Sequence, residues 1–570
     1  MSQAISSRRQ FLRLSYTVGA GVALPGWLVA CGGDSGTDPG PGPGPTPITE
    51  TFVEPDRLKP ANGLLDIEMR FAFANNTLDG QPVHLRSING GLTGPTLDLH
   101  VGDTLRVLVH NDLPPNPASV EPNWVYRYPN STNFHTHGLH VDPGLLRPGV
   151  YSDYVVDDPR EGVVPGSNRL HEFPIVDDHP PGTYWYHPHL HGSTAIQVGS
   201  GMAGAIIIRG PADDVPEIKA ARERLFVFQA IMLDSNGELA DFATAMTTAN
   251  ETPFTINGVR RPRLVMRPGE VQRWRFINSA VTSYLNLGLD GHDLLRIGHD
   301  GNPRRYPERI AADAAESVVM APGNRDDILV KAGAPGTYYL RTRTYNMGFP
   351  LAEDILAEVV VTGEAMDMAL PAGPLPLPDI LTPISDEELA SRGGLKREVV
   401  LRTISNANGA PITAQPAAAL LPVPPGELPI WTYQTGNTFA ANTVYAIGSA
   451  TGSASTDPRM PTVYYPFQSS RAVKQTIALD SVEEWTVYNM SGIQHPLHIH
   501  INPFQVIKIN GEPVEPFWAD TIALPRGGTP ERPTSITFRT RFLDFTGPYV
   551  MHCHLLLHED LGMMQLVEVV

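Results

Sequence analysis

The segment "HCHLLLHEDLGMM" near the C-terminus, residues 552–564, gathers side chains that bind soft metal ions. It holds three histidines, two methionines and one of the two cysteines in the chain. Successive side chains of a β-strand point to opposite faces, so His552 and His554 should face one way and Cys553 the other. A metal site that uses Cys553 must therefore lie across the strand from a site that uses its two neighbours.

The partners for a site at Cys553 are present in the sequence. His558 and Met563 follow it in the spacing Cys-x4-His-x4-Met, and His495 lies in the segment "HPLHIH". A thiolate and two imidazoles in a plane, with a weak axial thioether, form the blue-copper electron-transfer site. Met563 could instead be an ordinary core methionine, but its spacing favours a ligand, and the adjacent Met564 is assigned to the core.

Four His-x-His pairs provide a second signal, because each pair aims two imidazoles in one direction if it lies on a strand. Two pairs lie in the N-terminal part of the chain and two in the C-terminal part. The pairs are His135/His137, His187/His189, His498/His500 and His552/His554. A tetrahedral metal takes four ligands, so eight converging imidazoles imply a metal cluster, and imidazole suits copper. Core or loop histidines with backbone partners are the alternative, which four pairs in matching contexts disfavour.

The other histidines outside the two proposed sites show no such order and are predicted to be structural. They lie at positions 84, 100, 110, 140, 171, 179, 191, 292 and 299. His140 and His191 are close in sequence to the His-x-His pairs, so we expect them to contact the metal-ligand histidines and help to orient them.

Two sequence elements each recur three times. The first is "LHVGDTLRVLVHN" (99–111), "LVMRPGEVQRWRFIN" (264–278) and "IALDSVEEWTVYN" (477–489). The second is "GTYWYHPH" (182–189), "GTYYLRTR" (336–343) and "GPYVMHCH" (547–554), each followed later by a β-branched run. Their apolar–polar alternation predicts half-buried strands, and the repeat predicts three all-β domains. We place these domains at 50–211, 212–365 and 396–570, with a Pro-rich linker at 366–395.

The middle repeat lacks metal-binding residue types. Where the other two carry His-x-His, it carries Arg341-Thr342-Arg343, and arginine stays protonated and cannot ligate a metal. The first and third domains must therefore pack together if the eight histidines are to share one cavity. One short helix is predicted near 385–392, and residues 405–470 are predicted to be a loop-rich insertion in the third domain.

The N-terminal residues resemble an export signal. Arg8 and Arg9 precede a short apolar run, as in a twin-arginine (Tat) signal, and Leu28-Val29-Ala30-Cys31 resembles a lipobox. Residues 1–31 are therefore predicted to be a Tat-type lipoprotein signal, and the Gly/Pro-rich residues 32–49 a tether. This places the protein in the periplasm or cell envelope, attached to a membrane through lipidated Cys31. An ordinary cleavable signal with an incidental cysteine is the alternative.

Composition excludes other classes of function. The 52 glycines and 55 prolines among 570 residues suit a turn-rich β protein. A formal net charge of −18, with no basic cluster beyond the N-terminus, argues against a nucleic-acid partner. Two cysteines cannot form a disulfide framework, and with Cys31 and Cys553 both assigned, none remains to pair.

Taken together, the four His-x-His pairs, the motif H-P-x-H-I-H and the motif H-C-H-x3-H-x4-M resemble those of the multicopper oxidases, which include laccases and bacterial metallo-oxidases. The resemblance covers about residues 50–570. It implies three cupredoxin domains (Greek-key β-barrels or sandwiches), with the first and third packed around a trinuclear copper site. It also implies four copper ions. The type 1 ion would be held by Cys553, His495, His558 and Met563, and the type 2 ion by His135 and His498. One type 3 ion would be held by His137, His187 and His554, and the other by His189, His500 and His552.

The resemblance implies an oxidoreductase that couples four one-electron oxidations of a reducing substrate to the reduction of O2 to water. Electrons would pass from Cys553 along its backbone to His552 and His554. The reaction also consumes protons, so carboxylates should lie near the cluster. Glu559 and Asp153 are the candidate catalytic acids, and a solvated acid is the alternative for each.

The electron donor stays open. A laccase-like oxidase of phenols or aromatic amines is favoured, because a Met-rich insertion would indicate Cu(I) handling and residues 405–470 contain only Met460. A metallo-oxidase of Cu(I), Mn(II) or Fe(II) in metal tolerance is the first alternative. The full ligand set disfavours a non-catalytic copper-binding envelope protein, and the four intact pairs disfavour a nitrite reductase. We expect the donor to pass its electron through His558.

Overall fold

β-strands dominate the part of the chain that the structure describes, as predicted. The computed structural model describes residues 51–117, 128–156, 162–240, 252–405, 443–449, 464–465, 467, 474–529 and 532–570. The predicted signal and tether lie outside these ranges, as does most of the predicted 405–470 insertion. The strands form three pairs of large sheets in chain order. The exact domain boundaries given above stay predictions.

The first domain contains two sheets built from alternating apolar and polar strands. The strands are β1 (Arg57–Leu58), β2 (Leu64–Leu78), β3 (Gln81–Ile88), β4 (Thr96–His100), β5 (Thr104–Asn111), β6 (His135–His137), β7 (Leu145–Arg147), β8 (Val150–Tyr151), β9 (Asn168–Pro174), β10 (Gly182–His187) and β11 (Gly204–Arg209). Their order is β1-β4-β11-β10-β6 in one sheet and β3-β2-β5-β9-β8-β7 in the other. In β5, Leu105, Val107 and Val109 are buried and their neighbours are partly exposed, which is the predicted period of two.

The middle domain repeats this arrangement. Its strands are β12 (Arg222–Gln229), β13 (Thr255–Ile256), β14 (Arg263–Met266), β15 (Val271–Asn278), β16 (Leu285–Leu289), β17 (Leu294–His299), β18 (Asn302–Ile310), β19 (Val318–Met320), β20 (Arg325–Lys331), β21 (Gly336–Thr342), β22 (Tyr345–Asn346), β23 (Pro350–Leu351) and β24 (Asp354–Val361). The two large sheets have the orders β13-β12-β15-β20-β17-β18 and β14-β24-β21-β16-β19, and β22 and β23 form a hairpin. Trp274, Phe276 and Phe226 are fully buried in the core between these strands.

The third domain has the largest sheet. Its strands are β25 (Leu395–Ser405), β26 (Thr443–Ser449), β27 (Tyr464–Tyr465), β28 (Lys474–Ile477), β29 (Ser481–Asn489), β30 (His495–Ile499), β31 (Phe504–Ile509), β32 (Glu512–Ala519), β33 (Thr521–Leu524), β34 (Thr534–Phe542), β35 (Gly547–Cys553) and β36 (Met564–Val569). The sheet orders are β27-β26-β25-β29-β34-β31-β32 and β28-β36-β35-β30-β33. Because β26 pairs antiparallel with β25 over its whole length, the loop prediction for residues 405–470 is wrong at 443–449. Backbone pairing to a neighbouring strand, which sequence alternation alone did not show there, orders this segment.

The repeated sequence elements occupy equivalent places in the three domains. β5, β15 and β29 each pair in parallel with an earlier strand, respectively β2, β12 and β25. β10, β21 and β35 each pair antiparallel with the β-branched strand that closes the domain, respectively β11, β24 and β36. The prediction of three copies of one β-domain is therefore confirmed at the level of strand pairing.

The asparagine that ends the first repeated element makes the same hydrogen bonds in each domain. The buried side chains of Asn111, Asn278 and Asn489 each donate to two backbone carbonyls across a loop. Each side-chain oxygen also accepts the backbone N–H two residues later. In the first and third domains this loop leads to β6 and β30, so the asparagine holds the connection that delivers a His-x-His strand.

Helices are short in the described ranges. They are α1 (Thr194–Gly199), α2 (Pro216–Ala220), α3 (Asp386–Ser391) and α4 (Leu556–Asp560), with 3₁₀ turns at Pro211–Asp214 and Asp379–Leu381. The helix predicted near 385–392 is confirmed as α3, where the Ser385 side chain caps the first turn by accepting the Glu388 N–H. Among the described residues, no helix has the length and apolarity needed to cross a bilayer.

Candidate metal centre

The His-x-His pairs lie on neighbouring strands in the first and third domains. In the first domain β6 pairs with β10, which sets His135 opposite His187. In the third domain β30 pairs with β35, which sets His498 opposite His552. All eight histidines of the four pairs are buried. Each domain therefore presents four imidazoles from two adjacent strands and the residues just beyond them.

Direct contacts join the histidines of the two domains. His189 Nε2 lies 3.1 Å from His552 Nε2, and His554 Nε2 lies 3.2 Å from His137 Nδ1. The ring of His137 stacks on that of His498 with their centroids 3.8 Å apart. The eight histidines thus form one cluster between the first and third domains, here called the histidine cluster.

Burial keeps seven imidazoles of the histidine cluster neutral. It lowers the pKa of His189 to about 4. It also lowers the pKa well below the ordinary range in His135, His137, His187, His500, His552 and His554. Neighbouring rings strengthen the effect, because two protonated imidazoles would repel each other. A neutral imidazole keeps a nitrogen lone pair, which is the form that binds a metal.

Some of these lone pairs lack a hydrogen-bond partner among the described residues. The Nε2 atoms of His135, His187 and His498 are buried without one. Such atoms are costly to bury, and a bound copper ion would satisfy them directly. The ligand atoms of His498, His500 and His552 lie within 4.8 Å of one another. The donor set therefore fits copper.

Cys553 lies on the other face of β35 and meets a separate pair of histidines. Its sulfur is 3.3 Å from His495 Nδ1 and 3.7 Å from His558 Nδ1. Burial lowers the pKa of His495 to about 3 and raises the pKa of the Cys553 thiol. The thiolate form of a buried cysteine needs a compensating positive charge, and a metal ion would provide it. We call these three residues and Met563 the cysteine site.

Met563 and Met564 pack in different places. Met563 is fully buried in the core cluster that contains Cys553, whereas Met564 belongs to a separate cluster with Phe467. The Cys553 N–H donates to the Met563 carbonyl at 2.9 Å, and the Met563 N–H donates to the His558 carbonyl at 2.9 Å. This placement agrees with a ligand role for Met563 and a core role for Met564.

Glu559 faces the histidine cluster, although it directly follows a residue of the cysteine site. Its Oε2 is 3.0 Å from His552 Nδ1, and its Oε1 is 3.6 Å from His189 Nδ1. The side chain is fully buried, and this burial raises the pKa of its carboxyl group. A buried carboxyl in this place can hold a proton beside the cluster.

Asp153 contacts another part of the histidine cluster. Its two oxygens lie 2.9 and 3.0 Å from His135 Nδ1, and its Oδ1 accepts the Thr136 N–H at 2.9 Å. Its Oδ2 is also 3.4 Å from His500 Nδ1. A carboxylate that accepts from Nδ1 leaves Nε2 free to bind a metal. These contacts suit Asp153 to orienting two rings.

His140 and His191 have partners away from the histidine cluster. His140 Nδ1 is 2.9 Å from the Ile501 carbonyl, and its Nε2 is 2.6 Å from Asp544. The ring of His191 packs edge-on against Phe467. These contacts give both histidines structural roles. They are not the contacts with metal-ligand histidines that the sequence positions of His140 and His191 predicted.

The two arginines that replace His-x-His in the middle domain also make structural contacts. Arg341 Nε donates to Asp290 at 3.0 Å. Arg343 donates to the carbonyls of Ala314 at 2.5 Å and Ala312 at 2.6 Å. The middle repeat thus uses the same strand ends for hydrogen bonding, as its lack of ligand types predicted.

Sequence models of multicopper oxidase domains match three parts of the chain, residues 72–213, 232–358 and 446–570. Together they span well over half of it. The chain belongs to the multicopper oxidase family. The family membership makes it an oxidoreductase with copper cofactors that acts on O2 and a reducing substrate.

Relatives of this multicopper oxidase include bacterial and fungal proteins. Multicopper oxidase mco of Staphylococcus epidermidis is 23% identical over 503 residues, which cover 84% of this chain and 83% of the relative. Laccase-2 of Botryotinia fuckeliana is 25% identical over 542 residues, which cover 86% and 80%. A solved multicopper oxidase of Campylobacter jejuni, described as a metallo-oxidase, has a TM-score of 0.65 at 22% identity and covers 92% of this chain and 96% of that chain. The shared fold confirms the predicted three cupredoxin domains.

Asp520 and Thr521 of this multicopper oxidase lie in the site without any motif that indicated them. Thr521 Oγ1 is 3.0 Å from His498 Nδ1 and 3.2 Å from His137 Nε2. Thr521 reaches this place because β33 pairs with β30, which sets it opposite His498. Strand order brings these residues to the histidines, and no spacing in the sequence could have shown it.

The reduction potential of the type 1 copper predicted at the cysteine site should rise when Met563 is replaced by leucine. Leucine fills a similar volume but lacks the thioether that tunes the potential of a blue-copper site. Redox titration of the visible absorption band measures the change. Met564→Leu is the matched control and should leave the potential unchanged. An unchanged or lowered potential in Met563→Leu would count against Met563 as a ligand.

Proposed function

We propose that this multicopper oxidase is laccase-like and couples the one-electron oxidation of phenols or aromatic amines to the four-electron reduction of O2 to water. The observation that supports this proposal best is the placement of the three side chains of His552-Cys553-His554. Its two rings lie in the histidine cluster, and its sulfur lies 3.3 Å from His495 Nδ1 in the cysteine site. One short stretch of backbone therefore connects the two proposed metal sites.

The proposed cofactor set is four copper ions. The cysteine site would hold the type 1 ion, and His135 and His498 the type 2 ion. The two type 3 ions would be held by His137, His187 and His554 and by His189, His500 and His552. When bound, copper supplies one-electron redox chemistry at the cysteine site and O2 reduction at the cluster. The 3.1 Å and 3.3 Å contacts of His552 Nε2 with His189 Nε2 and His500 Nε2 support the last of these sets.

The chain's own contribution to the reaction is orientation and proton supply. Glu559 holds a proton at a carboxyl 3.0 Å from His552 Nδ1, where it can be delivered as O2 is reduced. Asp153 fixes His135 by accepting from its Nδ1, which directs Nε2 into the cluster. All these side chains are buried, so the local charges act in a low dielectric.

A tyrosine near the cysteine site favours an aromatic donor. Tyr345 is partly buried, and its hydroxyl donates to Gln494 Oε1 at 3.0 Å, next to the proposed type 1 ligand His495. A partly exposed ring in this place can stack on a phenol or an aromatic amine.

A metallo-oxidase of Cu(I), Mn(II) or Fe(II) is the second candidate. The solved Campylobacter jejuni protein, which shares the fold, is described as a metallo-oxidase. Against this reading, the predicted insertion at 405–470 contains only one methionine, whereas soft thioether ligands are the usual means of handling Cu(I).

A donor panel separates these functions. O2 uptake by the copper-loaded protein is measured with phenols, aromatic amines, Cu(I), Mn(II) and Fe(II), and the same mixtures without protein measure the uncatalysed uptake. We expect turnover with the aromatic donors. Turnover with the metal ions alone would replace the laccase-like proposal by the metallo-oxidase. No uptake with any donor would instead leave a non-catalytic copper-binding protein.

Export through the Tat pathway to the periplasm or cell envelope, and attachment to the membrane through lipidated Cys31, are also proposed. The support is the sequence of residues 1–31, which lie outside the described ranges. Mass spectrometry of the mature N-terminus tests it. A lipid-modified Cys31 at the first position supports the proposal, and a different start or an unmodified Cys31 rejects it.

A further inference from the structure

One arginine of the middle domain, which carries no His-x-His pair, links this domain to the other two beside the histidine cluster. Arg325 begins β20, and its side chain is fully buried. Its guanidinium donates to the Thr183 carbonyl of the first domain at 3.1 Å. It also donates to both carboxylate oxygens of Asp520 in the third domain, at 2.7 and 2.5 Å. Arg325, a residue of the middle domain, therefore forms hydrogen bonds with both the first and the third domain.

Asp520 carries this contact to two cluster histidines. Its Oδ1 lies 3.5 Å from His137 Nε2 and 3.5 Å from His498 Nδ1, and its backbone carbonyl lies 2.8 Å from the same His498 nitrogen. The other nitrogens of these rings face the cluster: His137 Nδ1 contacts His554, and His498 Nε2 is buried without a hydrogen-bond partner. Thr521 Oγ1 contacts the same two nitrogens and donates to Asp520 Oδ1 at 2.8 Å. One side of each ring is thus held by Asp520 together with Thr521, and the other is directed to the metal site.

A second residue of the middle domain fixes the backbone of this segment. Asp300 Oδ2 accepts the N–H groups of Asp520 at 3.3 Å and Thr521 at 3.1 Å, and Asp300 Oδ1 accepts the Arg325 N–H at 3.1 Å. Asn324 donates to the Thr521 carbonyl at 2.8 Å. Residues of the middle domain therefore hydrogen-bond to the backbone of residues 520–521 and to the side chain of Asp520.

Arg325 occupies the side chain of Asp520. Both carboxylate oxygens are engaged by the arginine in a paired, fork-like contact, which is the strong geometry for such a pair. The ligand atoms of Asp520, His137 and His498 lie within 4.8 Å of one another, but this pairing assigns Asp520 to holding rings and not to binding the ion.

The turn after the first His-x-His pair is shaped around this pair of charges. Gly138 follows His137 with a φ of +86°. A Cβ atom there would collide with the Arg325 guanidinium and lie 2.5 Å from Asp520 Oδ2. The glycine of "HTHG" thus leaves the space that the arginine and the carboxylate fill.

We propose that Arg325 is a positioning residue of the copper cluster, which acts through Asp520 on the rings of His137 and His498. The proposal rests on the proposed function, in which these two histidines hold copper. In this proposal the middle domain, which provides no copper ligand, helps to set the geometry of the type 2 copper and of one type 3 copper.

The test compares Arg325 with a matched arginine of the same domain. Arg275 is also fully buried. It donates to the Thr183 hydroxyl at 2.8 Å and to the carboxylates of Asp327 and Glu223 at 2.8 and 2.6 Å. Among the described residues, no hydrogen bond or ion pair joins either of these carboxylates to a cluster histidine, so Arg275 shares the structural role of Arg325 without the link to the cluster.

Copper content, the electron paramagnetic resonance spectrum of the type 2 copper and the type 1 absorption band are measured for wild type, Arg325→Lys, Arg325→Met, Asp520→Asn and Arg275→Met. We expect Arg325→Met and Asp520→Asn to weaken copper binding in the cluster by about 10–100-fold and to alter the type 2 spectrum. Arg325→Lys keeps the charge but loses the fork, so its spectrum should change with less copper lost. The type 1 band should stay as in wild type, and Arg275→Met should keep the wild-type type 2 spectrum even if its melting temperature falls.

A wild-type type 2 spectrum and copper content in Arg325→Lys and Asp520→Asn would overturn the proposal, and these two variants test it even if Arg325→Met does not fold. An equal spectral change in Arg275→Met would also overturn it, since the effect would then be general destabilisation. Wild-type protein that binds no copper in the histidine cluster would overturn the proposed function itself, which is a separate and recognisable outcome.

Discussion

O2 uptake should fall to the uncatalysed background with every donor when Cys553 is replaced by serine. The sulfur is the only soft anionic ligand at the cysteine site, where it lies 3.3 Å from His495 Nδ1 and 3.7 Å from His558 Nδ1. A serine hydroxyl is a harder and weaker ligand for copper than a thiolate. It is also nearly the same size, so the packing of this fully buried position should be retained.

The same variant should keep the histidine cluster intact. His552 and His554 lie on the opposite face of β35 and bond to histidines of the first domain. We therefore expect Cys553→Ser to lose the intense visible band and one copper per chain while it keeps the type 2 resonance. Met564→Leu, in a separate core cluster, is the control and should keep both signals. Retained donor oxidation in Cys553→Ser would contradict the proposed route of the electrons.

Replacing Glu559 with glutamine should lower kcat at saturating donor by about 10²-fold or more, which is the range in which a positioned acid contributes to a proton-transfer step. The amide is isosteric and can still contact His552, whose Nδ1 lies 3.0 Å from the carboxylate, but it cannot deliver a proton. The type 1 band and the copper content should not change, because the cysteine site lies on the other side of the strand. Steady-state O2 uptake and copper analysis measure both effects.

Glu483→Gln is a matched control for the loss of a buried carboxylate in the same domain. Glu483 is 2% exposed and bonds to Arg397 and the Trp485 indole, with no cluster histidine among those partners. We expect the melting temperature of the Glu483→Gln variant to fall and its kcat to stay near that of wild type. An unchanged kcat in Glu559→Gln would remove Glu559 from the proton path.

Period-two alternation explains why much of the site could be predicted from sequence. Residues two apart on a strand share a face, so the opposite placement of Cys553 and His552 followed from their adjacency alone. The repeat likewise predicted equivalent strands in three domains, and Trp274 and Trp485 are fully buried at matching places. Local rules of this kind need no knowledge of how the domains pack.

Contacts that depend on packing between domains could not be predicted in this way. Arg325, Asp300 and Asp520 come from separate segments of two domains and meet only because the sheets are assembled. The direction of Glu559 is another example: the family resemblance placed it near the histidine cluster, but only the fold shows that its carboxylate contacts His552. At β26, pairing with β25 made a strand where composition indicated a loop.

The central claim is that two connected metal sites together pass four single electrons to one O2 molecule. The ratio of donor oxidised to O2 consumed tests this claim most directly. The measurement follows oxidation of a one-electron phenolic donor and O2 uptake together, and catalase is added at the end to report any hydrogen peroxide. Four donor equivalents per O2, with no O2 returned by catalase, is the predicted result. Two donor equivalents per O2, with O2 returned by catalase, would contradict the account, because the product would then be peroxide and the histidine cluster would not complete the reduction to water.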